Sequence, residues 1–270
     1  MAMKRTTHAK STDSGALMGV PDEMPRRPDS RIKTALVTGS ARRNGRALAI
    51  WLARQGVRVA VHYRGSKDEA EKTLDECHKH THGGGLVKGD LTDATQAEAC
   101  VYEAHAKLGG LQVLVNNVGN YLRKDLFELT PEEWRDQLES SLYSAFFCMR
   151  AAVPIMRDQK FGRIINLGYA ASERPQYNRL TVPYHIAKGG LAILTRNAAA
   201  AVASQNITVN TIGVGIMENS VVKPKDPPAG RYAQYADLCN ALAFFLDASS
   251  DHVNGAQLDV SGGWIPEQIL

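Results

Sequence analysis

Tyr184 and Lys188, four residues apart in "VPYHIAK", have the types and spacing to move a proton. On a helix that spacing puts both side chains on one face. A phenol beside an ammonium can give a proton to an oxygen that is gaining negative charge, because the ammonium stabilises the phenolate left behind. The same two residues on an isolated helix more commonly form a surface pair, so the surrounding elements decide. Upstream, where a small hydroxyl would complete such a site, the chain reads Gly168-Tyr169-Ala170.

A second cluster, "TGSARRNG", closes the first apolar run. Gly39 allows a tight turn and Gly45 lets a following helix pack closely. Between them, Ser40, Arg42, Arg43 and Asn44 lead into a helix start, whose free N–H groups and positive dipole end suit a pyrophosphate. Arg43 stands where a further glycine would sit, and with Arg42 it adds guanidinium forks beside the phosphates. The next strand ends "VHYRGSKD", with Tyr63, Arg64 and Ser66 at its tip and no acid before Asp68. An acid at this place binds ribose hydroxyls in NAD-using folds, whereas an arginine accepts a 2′-phosphate. The pattern therefore favours NADP(H).

The elements needed to position these groups follow from the apolar pattern. Short apolar runs ("KTALV", "VRVAVHY", "GLVK", "LQVLVNN", "GRIINLGY", "ITVNTIGVG", "GAQLDV") alternate with helical periodicity from residue 31 onward. Strands that are apolar throughout belong to a parallel sheet covered on both faces. The expectation is a single-domain α/β Rossmann fold over 31–270, with a doubly wound sheet of about seven strands. Thr130 and Pro131 open a long helix over 131–157, expected to kink near Pro154. Residues 1–30 are polar, rich in Ser, Thr, Pro and basic residues, and read as a flexible tail without a secretory signal.

Composition removes other classes. The chain has 270 residues, 44% hydrophobic and 22% charged, which is enough for a sizeable core. The net charge of +4 includes a basic tail, so no nucleic-acid groove is implied. No apolar run spans a membrane. Cys77, Cys100, Cys148 and Cys239 show neither C-x-x-C spacing nor a His/Cys cluster, so no metal site is expected and the thiols read as reduced and cytoplasmic.

Taken together, "TGSARRNG", "GDL" at 89–91, "NNVG" at 116–119, Tyr184-x-x-x-Lys188 and "NTIGVG" at 210–215 resemble, in order, the motifs of the short-chain dehydrogenase/reductase family. The arginine-bearing turn resembles that of pteridine reductases and some other NADPH-dependent members. The resemblance covers about residues 31–263. It implies a carbonyl reductase or alcohol dehydrogenase with a small-molecule carbonyl substrate. Tyr184 would be the proton donor, and Lys188 would lower its pKa and hold the nicotinamide ribose. The nucleotide would further contact Asp90, Leu91, Asn117, Val118, Gly119, Gly215 and Met217. The family also implies a dimer or tetramer, here expected to be a homotetramer, formed through the helices of 131–157 and 183–203.

Two departures from the family matter most. Ser141 takes the place of an Asn linked to a water that leads protons to the lysine. Tyr169 takes the place of the serine that holds the substrate oxygen, so Tyr169, Ser172, the loop hydroxyl of Tyr177 or none of them is left to do so. The segment after Gly215, with Lys223, Lys225 and Arg231, reads as a substrate lid. A second reading, from a different class, is a nucleotide-binding sensor or scaffold that kept the fold and lost turnover. Ser141 and Tyr169 motivate it, and the retained Tyr184/Lys188 pair argues against it.

Overall fold

The computed structural model describes residues 27–174, 178–220 and 222–264. Seven strands form one sheet: β1 (Thr34–Val37), β2 (Arg58–Tyr63), β3 (Gly84–Lys88), β4 (Val113–Asn116), β5 (Gly162–Tyr169), β6 (Ile207–Val214) and β7 (Gln257–Val260). Their order is β3-β2-β1-β4-β5-β6-β7, and every pairing is parallel. β1 and β4 are buried at every residue, as the unbroken apolar runs predict.

Helices cover both faces. On one side α1 (Arg43–Arg54), α2 (Lys67–His78) and α7 (Tyr235–Leu246) enclose a core that includes Trp51, Leu48, Leu242 and Phe245. On the other, α3 (Ala94–Leu108), α5 (Ser144–Asp158) and α6 (Val182–Val202) pack Val101, Leu108, Met156 and Val202 against Leu114 and Ile164 of the sheet. The chain leaves β1 toward β2 and later returns to place β4 on the other side of β1. That reversal opens a crevice at the carboxyl ends of β1 and β4.

Two sequence expectations shift. The helix over 131–157 is α4 (Pro131–Leu138) followed by a π-helical turn at Glu139–Tyr143 and then α5. The interruption therefore falls at Ser140-Ser141, and Pro154 is accommodated inside α5. The serines supply the local reason. Ser140 Oγ accepts the Asn120 N–H at 3.1 Å, and Ser144 Oγ donates to the Ser140 carbonyl at 2.5 Å, so hydroxyls compete for backbone groups in this turn. Residues just before the expected domain boundary at 31 are also held to the domain. Asp29 is only 6% exposed, its N–H donates to Leu246 O at the end of α7, and its carboxylate binds Arg31. Residues 1–26 lie outside the described residues.

Candidate active site

The crevice is built from the turn after β1 and the strand end of β4. Gly39 adopts φ +60, where glycine is favoured, and Asn117 Nδ2 donates to the carbonyls of Thr38 and Gly39 at 2.9 and 3.1 Å. The close approach of helix to turn explains Gly45: a methyl there would lie 2.5 Å from Gly39 O and 2.6 Å from Asn117 Nδ2. Arg43 also takes a left-handed backbone, at φ +52, so it occupies a position whose geometry suits glycine. Its guanidinium reaches Asn219 O at 2.8 Å, tying the turn to the segment after β6.

A cavity of about 480 Å³ runs from this turn to the start of α6. Arg42, Arg43 and Asn44 line one end, Val118 and Gly119 the middle, and Tyr184 and Lys188 the other end. Gly215, Met217 and Trp264 close one wall. These groups fit an extended dinucleotide: a glycine turn and guanidinium groups at one end, a phenol and ammonium at the other.

Several expected cofactor residues contribute differently. Ser40, Tyr63 and Leu91 are 0%, 8% and 3% exposed as whole residues and belong to the interior. Arg64 is exposed and pairs with Asp90 at 3.3 Å, while Ser66 precedes α2. Asp90 also accepts the N–H and hydroxyl of Thr92, which fixes its carboxylate at the end of β3.

At the far end, α6 carries Tyr184 and Lys188 on one face, as the spacing predicts. Lys188 is buried, and its Nζ donates to Leu167 O at 2.7 Å and lies 5.9 Å from the Tyr184 ring centroid. Burial pulls its pKa down to about 8. Ser141 is buried beside it, with Oγ lacking a hydrogen-bond partner. A methyl on Gly119 would meet Ser141 Oγ at 2.8 Å and Lys188 Nζ at 3.2 Å, so this glycine leaves open the space between hydroxyl and ammonium.

Tyr184 is half-buried between two other tyrosines. Its ring meets Tyr121 edge-on at 5.0 Å and Tyr169 at 5.5 Å. Burial pushes its phenol above the usual value, and Tyr121 adds to the rise. In the chain without cofactor, burial sets the direction of this pKa, and Lys188 Nζ is held by Leu167 O. Tyr169 lines the cavity and stacks on His185 at 5.0 Å; burial raises its phenol pKa as well.

Ser172 does not supply the missing hydroxyl. Its Oγ donates to Gln257 Oε1 at 2.8 Å, and the Ala171 N–H donates to Asp259 Oδ2 at 2.9 Å, so β7 holds this turn. Tyr177 lies outside the described residues. Of the lid cations, Arg231 forms a fork to both Asp237 oxygens and Lys223 donates to Glu218 O, so both brace the segment itself. Sequence reasoning missed Tyr121 and Trp264, which reach the cavity from a loop after β4 and from the turn after β7. Among the described residues no cluster suits a metal ion, and no helix is long and apolar enough to cross a membrane.

Comparison with known proteins agrees with this geometry. The model of a family described as enoyl-(acyl carrier protein) reductase matches residues 39–265. The 3-oxoacyl-[acyl-carrier-protein] reductase FabG of Staphylococcus aureus is 32% identical over 244 residues, covering 86% of this chain and 97% of that protein. The FabG of Escherichia coli is 31% identical over 241 residues, covering 86% of this chain and 96% of that protein. A gluconate 5-dehydrogenase from Burkholderia cenocepacia, solved in complex with NADP and tartrate, superposes with a TM-score of 0.79 at 29% identity, covering 88% of this chain and 96% of that one. With the seven-stranded parallel sheet, the glycine turn at its switch point and the Tyr184/Lys188 pair at the cavity's far end, the chain belongs to the short-chain dehydrogenase/reductase family of oxidoreductases.

Proposed function

We propose that this protein is an NADPH-dependent carbonyl reductase. The observation that carries the reading is one cavity with Arg42 and Arg43 at one end and the Tyr184/Lys188 pair at the other. Arg64 at the end of β2, with no acid at that strand tip, supports NADP(H) over NAD(H). The arginine-bearing turn supports a cofactor site of the pteridine reductase-like kind. A bound nicotinamide supplies the hydride. Gly39, Asn44, Gly45, Asn117, Val118, Gly119, Gly215 and Met217 shape the groove for it.

Tyr184 gives its proton to the carbonyl oxygen as that oxygen gains negative charge. Its raised pKa keeps the phenol protonated before the reaction, which is the state a donor needs. Lys188 holds the nicotinamide ribose and stabilises the phenolate that forms. Its pKa near 8 makes it a ready proton source at neutral pH. Ser141, buried and unpartnered next to that ammonium, serves the lysine's proton supply. Tyr169 takes the role of the usual serine at the substrate oxygen. The substrate is a small carbonyl compound. The FabG relatives reduce 3-oxoacyl groups by name, and the gluconate 5-dehydrogenase is named for a sugar acid.

The catalytic domain is residues 31–270 together with the Asp29 anchor. The enzyme works as a cytoplasmic homo-oligomer. The sensor reading is not favoured, because a pure binding module has no use for a half-buried phenol beside a buried ammonium in the same cavity. The test is a carbonyl panel with NADPH and NADH oxidation as readout. NADPH is oxidised in preference, and Tyr184→Phe lowers turnover by at least about a hundredfold. Undiminished turnover in that variant, or preference for NADH, would refute the assignment.

A further inference from the structure

His62 sits near the end of β2, 3% exposed, and uses both ring nitrogens. The Gly39 N–H of the phosphate turn donates to Nδ1 at 2.9 Å. Nδ1 therefore carries no proton, and Nε2, 3.1 Å from Gly89 O, is the donor of that second bond. The backbone strengthens the link: Ser40 N–H donates to His62 O at 3.0 Å, and His62 N–H donates to Ser40 Oγ at 3.0 Å. One imidazole thus bridges the turn after β1 and the loop after β3, where Gly89 is followed by Asp90, the partner of Arg64.

Building on the nicotinamide-cofactor reading above, we propose that His62 is a positioning residue for the nucleotide. As the neutral Nε2–H tautomer, it holds the phosphate turn in register with the Asp90–Arg64 end of the groove. Asn117 holds the carbonyls of this turn, and the imidazole adds a restraint on the Gly39 N–H from a neighbouring strand. Protonation would place an N–H on Nδ1 facing the Gly39 N–H, two donors with no acceptor, so the bridge works in one charge state only. The groups around the ring agree. The β1 turn offers uncharged Gly39 and Ser40, and α3 offers the Cys100 thiol against Gly89. The end of β3 offers the Asp90 carboxylate. Burial holds the imidazole's pKa down to about 4, against the opposing pull of Gly89 O and Asp90, so the neutral form persists at every ordinary pH.

The experiment compares the native chain with His62→Phe and His62→Asn, reading NADP⁺ affinity by calorimetry and kcat at saturating NADPH. His62→Phe, which loses both bonds, is expected to weaken NADP⁺ binding about tenfold or more, with kcat changed far less. His62→Asn keeps an acceptor in reach of Gly39 and falls between the two. Nitrogen NMR of the free native protein is expected to show a single Nε2–H tautomer that does not titrate between pH 5.5 and 8, about where an ordinary histidine would. If His62→Phe fails to fold, the Asn variant and the NMR tautomer carry the test. An Nδ1–H tautomer, a midpoint near the ordinary histidine value, or affinities of the folded variants within twofold of native would overturn the inference alone. Lowered thermal stability with unchanged affinity would likewise reduce His62 to a structural role. A native chain that binds neither NADP⁺ nor NAD⁺ would overturn the proposed function and this inference with it.

Discussion

Lys188 is the costliest residue of the site: an ammonium in the interior with one carbonyl as its hydrogen-bond partner. Its folded pKa of about 8 lies below the ordinary lysine value of 10.5, so the native state binds fewer protons than the unfolded chain between those values. Stability from this group therefore rises with pH across that window, and the burial penalty is complete below it. Lys188→Met is expected to raise stability by about 1–2 kcal/mol at pH 7 while removing turnover. Denaturant melts at pH 7 and 10 measure it, and a less stable Met variant would show that the ammonium contributes to folding. The Tyr184/Lys188 pair was legible in the sequence because four residues on one helix are local. Tyr121 and His62 were not. One stands on a loop and the other in an apolar strand, and only the closed sheet brings them to the crevice. Ser172 misled for the converse reason, since its partner Gln257 is 85 residues away.

Among the elements, α4 shows how far local signals carry. Thr130 Oγ1 accepts the Glu133 N–H at 3.2 Å and Glu133 returns a bond to the Thr130 N–H at 2.8 Å, a reciprocal cap that the residue types announced. Thr130→Ala is expected to cost about 1 kcal/mol, lowering the melting temperature by roughly 2–4 °C, with NADPH affinity unchanged. A loss of affinity would mean that the start of α4 reaches the site. The π-helical turn that follows was hidden, because one extra residue barely disturbs an apolar period over a helix of this length. Pro154 lies inside α5 without ending it. By contrast, β5 came out with the boundaries of its apolar run, since a strand buried on both faces ends where its apolar residues end.

For the molecule as a whole, the parallel sheet was legible because alternating strands and helices leave few other topologies. Assembly was not, because an oligomer interface looks like any other apolar face in one sequence. The structure leaves Tyr143 and Phe146 46% and 44% exposed along the π-turn and α5, and Ile193 64% exposed on α6. Light scattering is expected to give a dimer or tetramer, and the double variant Phe146→Glu, Ile193→Glu a smaller species. An unchanged mass would move the contact elsewhere. The shared strand direction has a further, practical consequence. The cavity opens where the strands finish, whereas Asp29 docks beside the end of α7, at the edge where they begin. A surface or immobilising bead that held the molecule on its Asp29 side would therefore grip it from behind, leaving its mouth open to the surrounding solution.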